Sequence, residues 1–397
     1  GGARETMSGM KQTITMQGGG SMSSVNLIAR TTRCPMCQFR NERVYRFDYA
    51  TFRHLDFAQQ PTTDDFPNVV CACSDCGVIY RVGRWEEISL VDQFTTDEYA
   101  AHQEDHQVRD QSGVLRDAAE VQADLIAQHL EAIPEQAAVL DIGCFDGKLL
   151  GALKYRTGAV RLTGYDVAPR SSFPQEQGFE FVENLDEVDG RYALIILSHS
   201  LIYIEDVKGL FDRIDQLLAE DGVLFVHVPN VDVRPSTLLL GDQLYYFGKE
   251  ALGNLLLSCG FSIEFIGERL FPKDILVVAS KKSSEEIDVS QEWESDKVIV
   301  ALNKLEMATY AAVNDQQQVV VLGTTIEAAF VNSLISKRVS FFVDENKRKQ
   351  EVGFCGKKVL APGELKECDV CIIPMGKQSQ DIARRLSVMS VCQFIVL

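Results

Sequence analysis

From residue 138 onward the chain alternates between short apolar runs and amphipathic ones, and few folds accept that pattern. AVLDIG reads as a strand and KLLGALKYR as a helix. RLTGYDV and ALIILSHS read as strands, VKGLFDRIDQLLAED as a helix stopping at Gly222, VLFVHVP as a strand, and KEALGNLLLSCG as a helix closed by glycine. FSIEFIGE and DILVVASK are suited to pair as closing strands. Such alternation makes an α/β fold with a mostly parallel, Rossmann-like sheet covered by helices. Helical spacing predicts one further helix ahead of it, over residues 114–132. A polar stretch, residues 281–297, reads as a linker or helix start, and then the alternation resumes. VIVALNKLEMATYAAV, QVVVLG, TTIEAAFVNSLISK, RVSFFVDEN, CDVCIIPM, QDIARRL and QFIVL make a second, smaller α/β domain.

A length of 397 residues suits more than one domain. The expected division is a tail at 1–21, a cysteine module at 22–95, a larger α/β domain at 96–285 and the smaller one at 286–397. GGARETMSGMKQTITMQGGGS has the composition of a flexible linker and reads as an added tail, with a native start at Met22. No apolar run is long enough to span a bilayer and no secretory pattern opens the chain, so a cytoplasmic protein without a membrane partner is expected. The net charge is −18, which repels a phosphate backbone and makes nucleic acid a poor partner.

Eleven cysteines without an export signal argue for thiols or metal ligands rather than a disulfide framework. Two C-x2-C knuckles, Cys34-Pro-Met-Cys37 and Cys73-Ser-Asp-Cys76-Gly, each place two thiolates on one side of an ion. Together they complete a tetrahedral zinc site, closed and therefore structural. Cys71, two residues before Cys73, is read as structural.

The second chemical signal is VLDIGCFDG, residues 139–147. An apolar strand ends in Asp141-Ile142-Gly143-Cys144-Phe145-Asp146-Gly147 and a helix follows. Gly143 and Gly147 permit a tight turn and close approach of a ligand, at the strand end where open α/β sheets bind ligands. The spacing is neither G-x-G-x-x-G nor G-x-x-x-x-G-K-[ST], which disfavours a dinucleotide or a phosphate loop. The next strand ends in Gly164-Tyr165-Asp166, and an acidic residue there suits the two hydroxyls of an adenosyl ribose. The expected cofactor is S-adenosyl-L-methionine. A Rossmann-like domain with an empty site is the competing reading.

With both motifs on the same chain, the sequence resembles the three-domain sugar C-methyltransferase family, which acts on nucleotide-linked deoxysugars. The likeness runs over about residues 30–397. That family carries a zinc module ending in C-x-x-C-G-hydrophobic, similar to residues 73–79. Its cofactor loop typically reads GCNDG, similar to Gly143-Cys144-Phe145-Asp146-Gly147, and its last domain has a strand ending V-V-D-x-N, similar to residues 342–346. The resemblance implies an S-adenosylmethionine-dependent methyltransferase with a sugar or nucleotide-sugar substrate. It implies that Asp141 and Gly143 line the methionyl side, Asp166 holds the ribose, and Glu183 and Asn184 lie near the adenine. Cys144 and Ser198 complete the expected cofactor set.

The catalytic pattern departs from that family. Tyr203 stands where members carry a histidine after the fourth strand, and Gln243 replaces the histidine of Y-H-E-H-x-Y-Y-F. Glutamine takes no proton at neutral pH. Asp242, His199 and Tyr203 remain as candidate catalytic residues, with Asp242 favoured as base and His227 read as structural. Tyr99, His102 and His106 are candidates for a lid. The acceptor atom stays open between carbon, oxygen and nitrogen. A catalytically silent scaffold and a methyltransferase of peptides or natural products are the rival functions.

Overall fold

The computed structural model describes residues 25–47, 69–82, 107–109, 114–129, 137–157, 161–168, 178–269, 271–281, 296–314, 317–365, 370–388, 390 and 392–397. The tail at 1–21, most of the 281–297 linker, and Tyr99, His102 and His106 lie outside the described residues.

The first sheet belongs to the cysteine module. It contains β1 (Val25–Ile28), β4 (Val44–Phe47), β5 (Val69–Ala72) and β6 (Ile79–Arg81), all antiparallel, with the small hairpin β2 (Thr32–Arg33) and β3 (Arg40–Asn41) beside it. A second hairpin, β7 (Gln107–Arg109) and β8 (Leu115–Asp117), precedes helix α1 (Ala118–His129). The expected helix over 114–132 is therefore shorter, because its first residues pair as a strand.

The central sheet is built from β9 (Ala138–Ile142), α2 (Lys148–Thr157), β10 (Arg161–Tyr165), β11 (Glu180–Val182), β12 (Tyr192–Ser198), α3 (Val207–Leu217) and β13 (Leu218–Pro229). After the short strand β14 (Tyr245–Tyr246) come α4 (Lys249–Ser258), β15 (Ser262–Gly267) and β16 (Asp274–Ser280). The spatial order is β11-β10-β9-β12-β13-β16-β15, with β16 alone reversed, antiparallel to both its neighbours. Counted from β9 along this sheet, that is 3-2-1-4-5-7-6. The order reverses between β9 and β12, and ligands of open α/β sheets bind in the crevice beyond such a switch point.

Helix α3 shows how local sequence sets an element. Asp206 caps it by accepting from Gly209 N at 2.9 Å, and Val207, Leu210, Phe211, Ile214 and Leu217 form its buried stripe. The helix ends at Leu217, not at Gly222 as its pattern predicts. Leu218 pairs with Tyr192 instead, and a register irregularity brings Val223 opposite Leu194. Strand pairing along the sheet overrides the helical pattern there.

The third sheet comes from α5 (Asp296–Ala311), β17 (Val319–Leu322), α6 (Ile326–Ile335), β18 (Val339–Val343), α7 (Lys347–Val352), β19 (Val359–Leu360), β20 (Val370–Ile373), α8 (Ser379–Leu386) and β21 (Gln393–Val396). All five strands are parallel, in the order β19-β18-β17-β20-β21. Cys392 at its edge is disulfide-bonded, a departure from the free-thiol reading that sequence spacing does not reveal.

These units interlock. β14, from the loop after β13, pairs antiparallel with β6 and extends the module's sheet. Arg81 on β6 is 3% exposed. It donates to Leu238 O at 2.9 Å, to Leu240 O at 3.2 Å and to the Tyr246 hydroxyl. A buried guanidinium is tolerable only when so satisfied. Tyr45, Phe47 and Ile79 of the module share one apolar cluster with Leu238 to Leu240 and with Phe330 and Phe342 of the third unit. No described helix is long and apolar enough to cross a membrane.

Candidate active site and metal centre

The turn after β9 is tied to β10 by backbone bonds. Gly143 N and Cys144 N donate to Tyr165 O at 2.7 and 3.0 Å. Gly143 and Gly147 have φ of 85° and 74°, a region that favours glycine. A Cβ on Gly143 would fall 2.4 Å from Ser200 Cβ, and one on Gly147 would fall 2.2 Å from the Phe179 ring. Phe145 also has positive φ, at 47°.

Three buried carboxylates surround this turn: Asp141, Asp146 and Asp166. Asp166 accepts from Phe145 N at 2.8 Å and from Ala168 N at 2.9 Å. Burial raises its pKa against those bonds. Asp146 caps α2 through Lys148 N and pairs with the Lys148 ammonium at 3.4 Å. Asp141 is 2% exposed, and its Oδ1 has no hydrogen-bond partner. Burial, with the charges of Asp166 and Asp146, pushes its carboxyl up to about 8. A buried, orphaned carboxylate oxygen among like charges is a place for a cationic ligand. S-adenosylmethionine brings a sulfonium and an ammonium, so the donor set fits it.

The other expected cofactor residues take different positions. Cys144 is buried, with its Sγ within 2.6 Å of where a Gly164 Cβ would be. Ser198 exchanges hydrogen bonds with Gln122 of α1, at 2.9 Å from Gln122 Nε2. Glu183 and Asn184 are exposed after β11, and Asn184 Oδ1 caps the next turn by accepting from Asp186 N at 3.0 Å.

Across the switch point, β12 ends at Ser198 and leads into His199. Its φ is 57°, in the left-handed region that non-glycine residues rarely enter. Its N–H donates to His227 O at 2.7 Å. The His199 and His227 rings pack against each other at 4.3 Å between centroids, tilted by 60°. His227 Nε2 lies 3.1 Å from Asp274 Oδ2, and His199 Nε2 lies 3.9 Å from the same oxygen. The His199 side chain is 45% exposed, whereas His227 is 3% exposed. Burial works against the Asp274 charge, but the His227 hydrogen bond and the facing His199, His227 and Arg234 outweigh it and hold the pKa below its ordinary value.

Sequence reading missed Asp274 in this group, and took His227 as structural. No periodicity joins residues 47 apart in sequence; only the antiparallel pairing of β16 with β13, His227 opposite Leu276, brings them together. Tyr203 is half-buried in the turn after His199. Asp242 is 2% exposed, in the seam beside Tyr246, where its charge acts on the Tyr246 hydroxyl.

Beside Asp274, the third unit reaches in. Glu327, in the first turn of α6, takes Arg234 on both oxygens, at 2.6 and 3.1 Å, and Ser236 Oγ at 2.7 Å. Burial opposes its charge, yet Arg234, Lys273 and Ser236 hold its carboxyl down at about 2.

In the module, Cys34, Cys37, Cys73 and Cys76 converge, all as free thiols. Cys34 and Cys76 sulfurs lie 3.7 Å apart, and Cys37 and Cys73 sulfurs 3.5 Å. Tetrahedral zinc with about 2.3 Å bonds would space its sulfurs roughly 3.8 Å apart, so the donor set fits zinc. The two knuckles are built alike. Cys34 N and Cys73 N donate to Phe39 O and Val78 O, each at 2.9 Å. Gln38 N and Gly77 N close back onto Cys34 O and Cys73 O, with φ of 63° and 81°. Asn41, 1% exposed, donates to Cys73 Sγ at 3.4 Å and steadies a thiolate there.

A family model described as a methyltransferase domain matches residues 114–264. The trans-aconitate 2-methyltransferase of Escherichia fergusonii is similar at 31% identity over 110 residues, 26% of this chain and 44% of that protein. That of Escherichia coli is 32% identical over 111 residues with the same coverage. The chain thus spans less than half the length of these curated relatives. Among solved structures, Burkholderia thailandensis 1,6-didemethyltoxoflavin-N1-methyltransferase, with bound 1,6-didemethyltoxoflavin and S-adenosylhomocysteine, is similar at 17% identity. Its TM-score is 0.39, over 56% of this chain and 100% of that one. Residues 114–264 match the methyltransferase-domain model, and the sheet they contribute to, completed by β16 at 274–280, has the class I, Rossmann-like order 3-2-1-4-5-7-6.

Proposed function

We propose that the protein is an S-adenosylmethionine-dependent methyltransferase acting on a small polar acceptor. The observation that carries this is the orphaned, buried Asp141 oxygen beneath a glycine turn at the switch point of the sheet. The cofactor supplies an electrophilic methyl group on a sulfonium. Asp141 faces the cationic methionyl end, Asp166 takes the ribose hydroxyls with the lone pairs its backbone bonds leave, and Gly143 and Gly147 keep the turn close. Cys144, Ser198, Glu183 and Asn184 border the same site.

Acceptor activation falls to the His199, His227 and Asp274 group, with Tyr203 beside it. Asp242, enclosed in the seam, is the weaker candidate for direct proton transfer. The nearby Glu327–Arg234 pair supports a role for the 286–397 unit in walling the acceptor side. Four cysteines hold a structural zinc in the 22–95 module. A sugar or nucleotide-linked sugar is the acceptor that the motif resemblance favours, while the curated relatives are named for a small carboxylic acid.

Calorimetry tests the reading. Asp166→Ala is expected to weaken S-adenosylmethionine binding by about 1.5–3 kcal/mol for each ribose bond lost to the charged carboxylate. Failure of the unaltered protein to bind would leave a silent scaffold, and unchanged affinity in the variant would remove Asp166 from the ribose.

A further inference from the structure

The described residues hold two clusters of metal-ligating side chains, and the second has no part in the cysteine module. The ligand atoms of His199, His227 and Asp274 all lie within 4.8 Å of one another. We propose that these three residues form a second divalent-cation site, of the zinc class, with a coordination position left for an oxygen of the acceptor.

The chemistry of the donors comes first. Two imidazoles and one carboxylate are the ligand types of open, three-residue zinc sites, in which a fourth position takes water or substrate. Four thiolates leave no such position, so the two clusters have different uses.

The geometry agrees. Tetrahedral bonds of about 2.0–2.2 Å to nitrogen and oxygen separate neighbouring ligand atoms by roughly 3.3–3.6 Å. His227 Nε2 and Asp274 Oδ2 are 3.1 Å apart, a few tenths of an ångström short of that spacing. His199 Nε2 stands 3.9 Å from that oxygen, and a small rotation of its half-exposed side chain closes the difference. The strained φ of 57° at His199 aims the ring back over His227 rather than along the strand. The neighbouring Ser200 packs on Gly143, so the cluster stands one residue from the cofactor turn.

The consequence for substrate rests on the methyltransferase reading above. A hydroxyl or carboxyl oxygen in the open position loses its proton more readily. That proton leaves to solvent. An oxygen lone pair then forms the C–O bond to the methyl carbon as the C–S bond breaks, and the sulfonium becomes a neutral thioether. The acceptor class is therefore an oxygen nucleophile rather than carbon.

The test is a zinc count on the full chain after equilibration with zinc alone and removal of excess, by elemental analysis. The unaltered protein is expected to hold one zinc more than either His199→Ala or Asp274→Asn. His199 is half-exposed, so its variant keeps the fold even if that at Asp274 does not. Equal counts in the unaltered protein and His199→Ala overturn the site. Calorimetry with S-adenosylmethionine on the same samples separates the two readings. A His199-dependent zinc without cofactor binding keeps the metal site and removes the methyltransferase, and cofactor binding with equal zinc counts does the reverse.

Discussion

The chain carries the same strand–turn–helix device twice, and the two copies differ in which polar atoms they leave without a partner. In both, a glycine with φ near 85° follows the first strand: Gly143 at 85° after β9 and Gly323 at 84° after β17. In both, that glycine donates 2.7 Å to the last carbonyl of the next strand, Tyr165 O or Val343 O. In both, the acid after that strand accepts from the turn at 2.8 Å, Asp166 from Phe145 N and Asp344 from Thr324 N. The differences lie in what fills the turn. Asp344 also takes the Thr324 hydroxyl at 2.8 Å, and Met375 lies against Gly323. Helix α6 starts three residues after Gly323, where α2 starts five after Gly143. The second turn closes on its own side chains. The first leaves a buried carboxylate oxygen without a partner. A shared backbone geometry therefore leaves different polar atoms unsatisfied, and the side chains around each turn decide which.

The strongest way to break this comparison is to exchange the acids for amides. Asp141→Asn is expected to lower S-adenosylmethionine affinity about 100-fold, since a charged partner is worth up to about 3 kcal/mol. Asp344→Asn is expected to leave that affinity unchanged. Calorimetry on both decides, and a loss at Asp344 would mean the second turn also serves the cofactor.

Acid titration probes what the second helix start does instead. Its first-turn Glu327 binds Arg234 of the neighbouring domain rather than a ligand. Its folded pKa, about 2, lies below the ordinary 4.5. The stabilisation is therefore complete above pH 4.5 and is lost as pH falls toward 2, a linkage of about 3 kcal/mol. Chemical denaturation of the unaltered protein and Glu327→Gln should differ at neutral pH and converge in acid. A constant difference across that range would show that the carboxylate is not what holds the seam.

The smallest effect compares the glycines. Gly147→Ala drives a Cβ into the Phe179 ring, whereas Gly323→Ala meets only the flexible end of Met375. Both carry positive φ. We expect about 2 kcal/mol of destabilisation at Gly147 and about 1 kcal/mol at Gly323. Only the former should also weaken the cofactor. Equal losses in thermal denaturation would make backbone strain, and not packing, the common cause.

Much of this was readable from the chain alone. Period and glycine punctuation marked β9, β10, β12, β13, β17, β18, β20 and β21, because buried parallel strands must be apolar runs and helices must carry a stripe. The two knuckles announced a four-cysteine cluster, because a C-x2-C turn brings its sulfurs together locally. Asp141, Gly143 and Asp166 could be placed at strand ends for the same reason, since the pattern sets where those strands stop.

What only the tertiary structure decided involves pairs distant in sequence. Asp242 stood next to an aromatic cluster and read as a loop base, but β14 joins the module's sheet and encloses it beside Tyr246. His227 looked like one buried residue of an apolar strand until the pairing of β16 with β13 set Asp274 against it. Arg81, buried, and Glu327, partly buried, are ordinary charges in the sequence that became the fastenings of the three units. Local periodicity reports which face of an element is buried, because burial repeats with the backbone's own period. It carries no record of the partner across a fold, and the meeting of His199, His227 and Asp274 is set by packing alone.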